Sequence, residues 1–469
     1  MSAVFDLLLR RVHLSNGAVM DVGISGERFA DIAPQLPRSD NDIDGSGKIL
    51  LLPGLHDHHI HLLATAARFQ SVDLSGMTRQ SAVVAALQSK AASGTPGDWP
   101  GDWPGDWIRA VGYDERVSGI PDRHVLDHWV PGQPLRVQDR TGALWVLNSA
   151  ALGLIGDPPW PDMVETDAKN QPTGRIWRGD SWLRSRIGAE PPSLAGLSRQ
   201  LAQWGVTAVT DAGANNGPDE AAFLSNAIHE GDLLQRLTMM GREDLPAGPD
   251  YNVGPVKLLF DERALPEIDS IVARISNARA FGRAVAAHCV TEAELVTYLA
   301  ALDQAGGARA GDRIEHGSMI PEGLIADIAQ AGLTVVANPG FIAARGDRYL
   351  AEIDRQDRTA LQRLRSLHDA GISLRAGSDA PYGPANPWVA MRAAIHRITP
   401  SGAILAAAEA VPATRALTLF ATEAPLCAGA PADCFLVDRD WVSQVARDAE
   451  PAPVDMTVIG GKALYSRGR

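Results

Sequence analysis

The sequence predicts an α/β fold, a (β/α)8 TIM-like barrel with a small β-sandwich domain formed by both termini and a large insertion after the first barrel strand. Three observations point to it. Apolar runs near residues 51–55, 206–210, 236–240, 256–260, 284–288, 313–315, 333–337 and 372–376 give eight candidate strands. From residue 195 onward these runs alternate with helical patterns, which is the rhythm of a parallel barrel. Short alternating runs also occupy both chain ends (DLLLRRVHL, AVMDVGIS and ERFADIA near the start, ADCFLVD and DMTVIGGKAL near the end), as small antiparallel strands do.

The helices have legible ends. Thr291 and Glu294 form a T-x-x-E capping box, followed by Leu295, Val296, Leu299 and Leu302 on one helical face. Pro321 suits a helix first turn and Gly332 its stop. Leu361, Leu364 and Leu367 mark a further helix ending at Gly371. The expected division is 1–49 with 422–469 as the sandwich, 50–70 with 195–421 as the barrel, and 71–194 as an inserted subdomain covering the active site.

The insertion is rich in tryptophan and proline and carries the tandem repeat GDWPGDWPGDW at 97–107. Three copies are too few for a solenoid and too rich in Pro and Gly for a helix, so a loop expansion is expected, with Trp107 leading into the strand-like IRAVGY. Tyr113 and Trp145 are the candidate substrate-lining residues of this region.

Composition bounds the function. The 469 residues are 45% hydrophobic and 21% charged, as in a globular protein, and the net charge of −13 argues against nucleic acid or an anionic membrane as partner. A small-molecule substrate remains, and homo-oligomerisation is left open. No run is long enough to span a bilayer, and the apolar stretch at the N-terminus precedes its arginines, the reverse of a signal peptide. Three cysteines suit a reducing, cytoplasmic setting.

Chemistry concentrates where apolar runs end in metal-competent side chains: PGLHDHHIHL, VKLLFD, VAAHC, RIEHG and AGSDAP. A parallel barrel gathers such residues at the C-terminal mouth of its strands. Alternation puts His59 and His61 on one face and sends His56 and His58 elsewhere. Lys257 is unusual, because a buried ammonium beside metal ions is costly; a neutral amine can instead react with carbon dioxide to give an anionic carbamate. Its alternative is a lysine that snorkels to solvent or pairs with Asp261. His288 and His316 end consecutive strands, and Glu315 is expected to point away because it precedes His316 by one residue. Asp379 follows the last strand, as a ligand or as a cap for the next segment.

These islands resemble the amidohydrolase superfamily, and more narrowly its amidohydrolase-3 (YtcJ-like) branch. PGLHDHHIHL resembles the first-strand H-x-H motif, VKLLFD the fourth-strand lysine motif, and RIEHG and GSDAP the sixth- and eighth-strand motifs. GDWIRAVGYDE and LWVLNSAAL resemble the inserted region, and GAPADCFLVD the C-terminal sheet. The resemblance implies that His59, His61, His288 and His316 are metal ligands, Lys257 a carboxylated bridge, and Asp379 both ligand and proton shuttle. Two departures stand out: Thr141-Gly142 is followed by Ala143 where the branch often has histidine, and HCVTE at 288–292 replaces the usual HAIGD.

The expectation is therefore an enzyme that hydrolyses an amide or other C–N bond through a metal-activated hydroxide. One or two ions are expected, zinc by default, with other divalent transition metals able to substitute. Lactone or ester hydrolysis on the same centre is the alternative. A deaminase is less well matched, since position 291 is threonine where such enzymes carry glutamate.

Overall fold

The computed structural model describes residues 5–93, 107–187, 191–447 and 452–467. The GDWP repeat up to Asp106 lies outside the described residues. The chain separates into two compact units, Met1–Leu62 with Ala195–Arg469, and Leu63–Leu194.

The first unit contains the barrel. Its strands are Leu55–Ile60, Val206–Asp211, Arg236–Gly241, Tyr251–Leu258, Val285–Cys289, Arg313–His316, Thr334–Ala337 and Ser373–Ala376. They pair in chain order and all in parallel. Closure comes just beyond the eighth strand, where the Asp379 N–H donates to His59 O at 2.7 Å and the His61 N–H to Ala380 O at 2.9 Å. Gly377 permits this approach, because a Cβ there would lie 2.5 Å from His59 N. The loops that close the barrel are thus the ones that carry its chemistry.

Two expected boundaries move. The apolar run at 51–55 is not the first barrel strand, because Ile49–Pro53 pairs with Cys434–Asp438 in the terminal sheet. The barrel strand begins beyond Gly54, where a Cβ would collide with Thr207, and consists of the histidine-rich segment itself. The helix expected over Leu361–Gly371 is limited to Arg365–Asp369. Leu361 is buried in a separate cluster with Ile342, Ala393 and Leu405, so its apolar spacing reflects packing rather than one helical face.

The capping box forms as expected. The Thr291 hydroxyl accepts from the Glu294 N–H at 3.3 Å, and the Glu294 carboxylate accepts the Val290 and Thr291 N–H groups at 2.7 and 3.0 Å. The departure from HAIGD is therefore used to start the helix Glu292–Gln304. Gly332, with φ +66°, stops the helix Ile325–Ala331.

The terminal strands make one continuous eight-stranded sheet rather than two hydrogen-bonded sheets. Its run is Lys462–Ser466, Val454–Ile459, Cys434–Asp438, Ile49–Pro53, Leu7–His13, Val19–Ser25 and Arg28–Ala33, with Asp42–Asp44 added to Leu7–His13. Leu9, Val22, Ile24 and Phe29 from one half share a core with Leu436, Met456 and Val458 from the other, so the sheet folds over itself to bury its apolar face.

The second unit is built on a six-stranded mixed sheet ordered Val164–Thr166, Pro172–Trp177, Leu144–Leu147, Leu135–Asp139, Ile108–Tyr113 and Val72–Asp73. Alternation is clear along Leu144–Leu147. Leu144 and Val146 enter one core, and Trp145 and Leu147 enter the other, so both faces of this strand are buried. Among the described residues no helix is long and apolar enough to cross a membrane.

Candidate metal centre

Three side chains from the two ends of the barrel sheet converge. His59 Nε2 lies 3.3 Å and His61 Nε2 3.2 Å from Asp379 Oδ1. Their ligand atoms all fall within 4.8 Å of one another, close enough to hold one ion. His316 adjoins this group with its ring 4.7 Å from that of His59, and His288 stands 4.5 Å from His316. All four histidines thus gather at one place, although among the described residues only His59, His61 and Asp379 form the compact ligand set.

The selection of His59 over His58 comes about differently from the expected alternation. Asp57 pairs with Val209 and Ile60 with Asp211, so His58 and His59 together face Thr210 alone. This bulge breaks the two-residue period and separates neighbouring histidines. His56 Nε2 bonds Thr210 Oγ1 at 2.9 Å, and its ring stacks on His58 at 3.9 Å. Burial pushes His56 down to about 3, and the His58 imidazole also lies well below its ordinary value, first through burial and then through His56 and Arg313. The lower pair is neutral and the upper pair faces a carboxylate.

Glu315 corrects the sequence reading. It is fully buried and hydrogen-bonds His59 Nδ1, while Arg313 clamps its carboxylate through Nε at 2.7 Å and Nη2 at 3.1 Å. Glu315 is in register with His288 on the neighbouring strand, so it shares that residue's inward side. His316 joins the same pocket because its backbone turns left-handed at φ +70°, which ends the alternation. Asp379 is likewise left-handed, at φ +52°. Such backbone in non-glycine residues is costly and collects at functional sites.

The remaining nitrogens are oriented. His316 Nδ1–H donates to Asn338 Oδ1 at 2.8 Å, and Asn338 Nδ2 donates to Gly377 O at 2.9 Å. Nδ1 is engaged in both His59 and His316, which is how outer partners commonly fix metal-binding imidazoles, and His59 turns its Nε2 toward Asp379. Asp57, also buried, accepts the Ser378 N–H at 2.9 Å and the His59 N–H at 3.2 Å. Burial raises its carboxyl to about 6 against those hydrogen bonds. Sequence reasoning placed Glu315 outside and passed over Asp57, Arg313 and Asn338. The D-x-H spacing and the E-H pair were the available signals.

Lys257 is 3% exposed, and its Nζ has no hydrogen-bond partner among the described residues. The snorkelling alternative is thereby removed, and Asp261 instead caps the turn at Arg263. Burial depresses the Lys257 amine, with Glu315 and Asp379 opposing it. Burial would raise the Glu315 carboxyl, but Arg313, Lys257 and His59 together hold it well below the usual carboxylate range. Asp379 is also low: burial acts against it, and His316, His59 and His61 prevail. His288 is pushed down to about 4, mainly by burial and then by Lys257. The centre therefore offers the ionised Glu315 and Asp379 carboxylates, His288 and His316 imidazoles held below their ordinary value, a His59 imidazole raised, against burial, by Glu315 and Asp379, and a lysine nitrogen without a hydrogen-bond partner among the described residues; these are the donor types of a divalent transition metal.

The family model of the amidohydrolase family, Amidohydro_3, matches residues 43–465. The chain belongs to the amidohydrolase family. This amidohydrolase is an enzyme, a hydrolase of carbon–nitrogen bonds. It is similar to the N-substituted formamide deformylase of Arthrobacter pascens, with 25% identity spanning 100% of this chain and 99% of the relative. It is also similar to the putative amidohydrolase YtcJ of Bacillus subtilis (strain 168), with 21% identity over 97% of this chain and 96% of the relative. Among solved structures, an uncharacterized metal-dependent hydrolase from Pyrococcus furiosus shares the fold with a TM-score of 0.67 and 21% identity, covering 92% of this chain and 99% of the other.

The two expected substrate-lining residues lie in the second unit of the amidohydrolase. Tyr113 borders a cavity of about 210 Å³ together with Ile120, Val137, Leu144 and Trp177, and its hydroxyl donates to Gly119 O at 2.9 Å. Trp145 is buried, and the guanidinium groups of Arg109 and Arg136 lie over its ring at 5.2 and 4.9 Å from its centre.

Proposed function

We propose that this amidohydrolase cleaves the amide bond of a small N-acyl compound, with His59, His61, His288, His316 and Asp379 as ligands of one or two divalent ions. The observation that carries the reading is the convergence of His59, His61 and Asp379 beside the buried, unpartnered Lys257 amine. Zinc is the first candidate for this nitrogen and oxygen donor set. A divalent ion held there supplies polarisation of the substrate carbonyl and a lowered pKa for water.

The protein's own residues do the rest. Asp379, kept ionised by its histidine neighbours, accepts a proton from the attacking water through its carboxylate and returns it to the leaving nitrogen. Glu315 and Asn338 engage Nδ1 of His59 and of His316 and so hold both rings in place. Lys257, as a neutral amine, would take up carbon dioxide with loss of one proton, and the resulting carbamate would add anionic oxygens to the donors that hold a divalent ion. The similarity to a formamide deformylase makes N-formyl amines the first compounds to assay. Turnover of N-formyl or N-acetyl amines by the zinc-loaded protein supports this reading. Exclusive turnover of lactones or esters overturns it.

A further inference from the structure

Asn338 engages the His316 ring, and Asn338 is itself held by a residue that the chemistry above leaves unused. Gln362 lies between the helices Gly340–Glu352 and Arg365–Asp369 and is fully buried. Its N–H donates to Ser318 O at 2.9 Å, and the Ile320 N–H donates to Ala360 O at 3.1 Å. The segment 360–362 is thereby paired with the stretch just beyond His316. The side chain then reaches two strand ends at once. Gln362 Nε2 donates to Ser318 Oγ at 3.1 Å, two residues past the sixth barrel strand. Gln362 Oε1 accepts the Asn338 N–H at 3.3 Å, directly after the seventh. Asn338 Oδ1 in turn accepts from His316 Nδ1 at 2.8 Å.

The backbone at this point is strained. Gln362 is left-handed at φ +48°, a conformation that glycine adopts freely and glutamine does not. Such strain persists only where the surroundings over-determine it. Here they do so through Arg397, which is fully buried and itself left-handed at φ +58°. Its Nη1 donates to Gln362 O at 2.8 Å, its Nη2 to Leu361 O at 3.0 Å and its Nε to Leu405 O at 3.0 Å. Burying a guanidinium is costly unless its donors are satisfied, and here its planar fork grips two consecutive carbonyls. The clamp fixes the peptide from which the Gln362 side chain departs. Filling space alone would require neither the amide nor the clamp.

We infer that Gln362 is a positioning residue of the metal centre: it holds Asn338, and through Asn338 the His316 ring, in the orientation in which His316 serves as a ligand. This rests on the ligand role of His316 proposed above. The chain of control runs from Arg397 to the Gln362 backbone, from the Gln362 amide to Asn338, and from Asn338 to the imidazole. Gln362 exchanges no proton and acts only through its neighbour.

The test measures zinc affinity by chelator competition for the wild type, Gln362→Met, Gln362→Gly, Asn338→Ala and the double variant Gln362→Met with Asn338→Ala. Gln362→Gly accepts the left-handed backbone without strain, so it guards against a misfolded Gln362→Met. Both Gln362 variants should bind zinc about tenfold more weakly or worse. The double variant should be within about twofold of Asn338→Ala alone, because both changes act through one ring. Unchanged affinity in the Gln362 variants, or losses that multiply in the double variant, would overturn the inference. The tautomer of His316 in the metal-free protein, read by nitrogen NMR and assigned by its loss in His316→Gln, keeps the two readings apart. If His316→Gln binds zinc as tightly as the wild type, the ligand role of His316 fails. A ring fixed as the Nδ1–H tautomer in the wild type and mixed in Gln362→Gly would still support the positioning role, and the same tautomer in both would refute it.

Discussion

The two ends of the first barrel strand carry the same residue type and meet different fates. At its lower end His56 and His58 stack on one another, His56 shares a hydrogen bond with Thr210, and both stay neutral. At its upper end His59 and His61 reach Asp379 across the closure of the barrel, and Glu315 steers His59 from behind. What separates them is the bulge opposite Thr210 and the carboxylates that neighbouring strands bring up, not the identity of the side chain. A histidine becomes ligand-competent here through the partner of its second nitrogen.

That contrast can be broken from the upper end first. Asp379→Asn should lower kcat by about 10²- to 10⁴-fold while leaving most of the metal bound, measured by steady-state kinetics beside metal analysis. Unchanged kcat would remove Asp379 as the proton carrier. Lys257→Ala should lose bridged metal and turnover together, with partial recovery on adding small carboxylic acids; full activity without them would exclude the carbamate. Glu315→Gln acts one step away, through His59, and should weaken metal affinity about 10- to 100-fold in a chelator competition. An unaltered affinity would reduce Glu315 to a packing role.

The lower end should respond weakly. His56→Phe loses the Thr210 hydrogen bond and should cost about 1 kcal/mol in denaturant unfolding, with metal content and kcat/KM kept within about twofold. A large loss of metal would show that the lower pair belongs to the centre after all. Outside the comparison, Thr291→Ala should cost about 1 kcal/mol by removing the cap of Glu292–Gln304. If turnover fell while stability held, the HCVTE departure would be a substrate contact and not a cap.

The barrel and the residues that gather at its mouth were legible because both depend on local pattern. Apolar runs ending in His, Lys or Asp gave the strand count, and T-x-x-E gave the start of a helix. The errors arose where long-range pairing decides. The run before Gly54 is as apolar as a barrel strand, yet it pairs with Cys434–Asp438, far away in sequence. Glu315 was placed outside because alternation was carried through His316, whose left-handed backbone cannot be read from the residue type. Asn338 was missed because an asparagine after an apolar strand ordinarily marks a turn. Its role exists only because His316 stands opposite.

The most direct test of the central claim is the metal content of the protein purified without chelator, together with that of His59→Ala and His56→Ala variants prepared alongside. The account predicts about one to two equivalents of a divalent transition metal in the wild type and in His56→Ala, and a marked loss in His59→Ala. Equal metal in both variants, or less than about half an equivalent in the wild type, would contradict it.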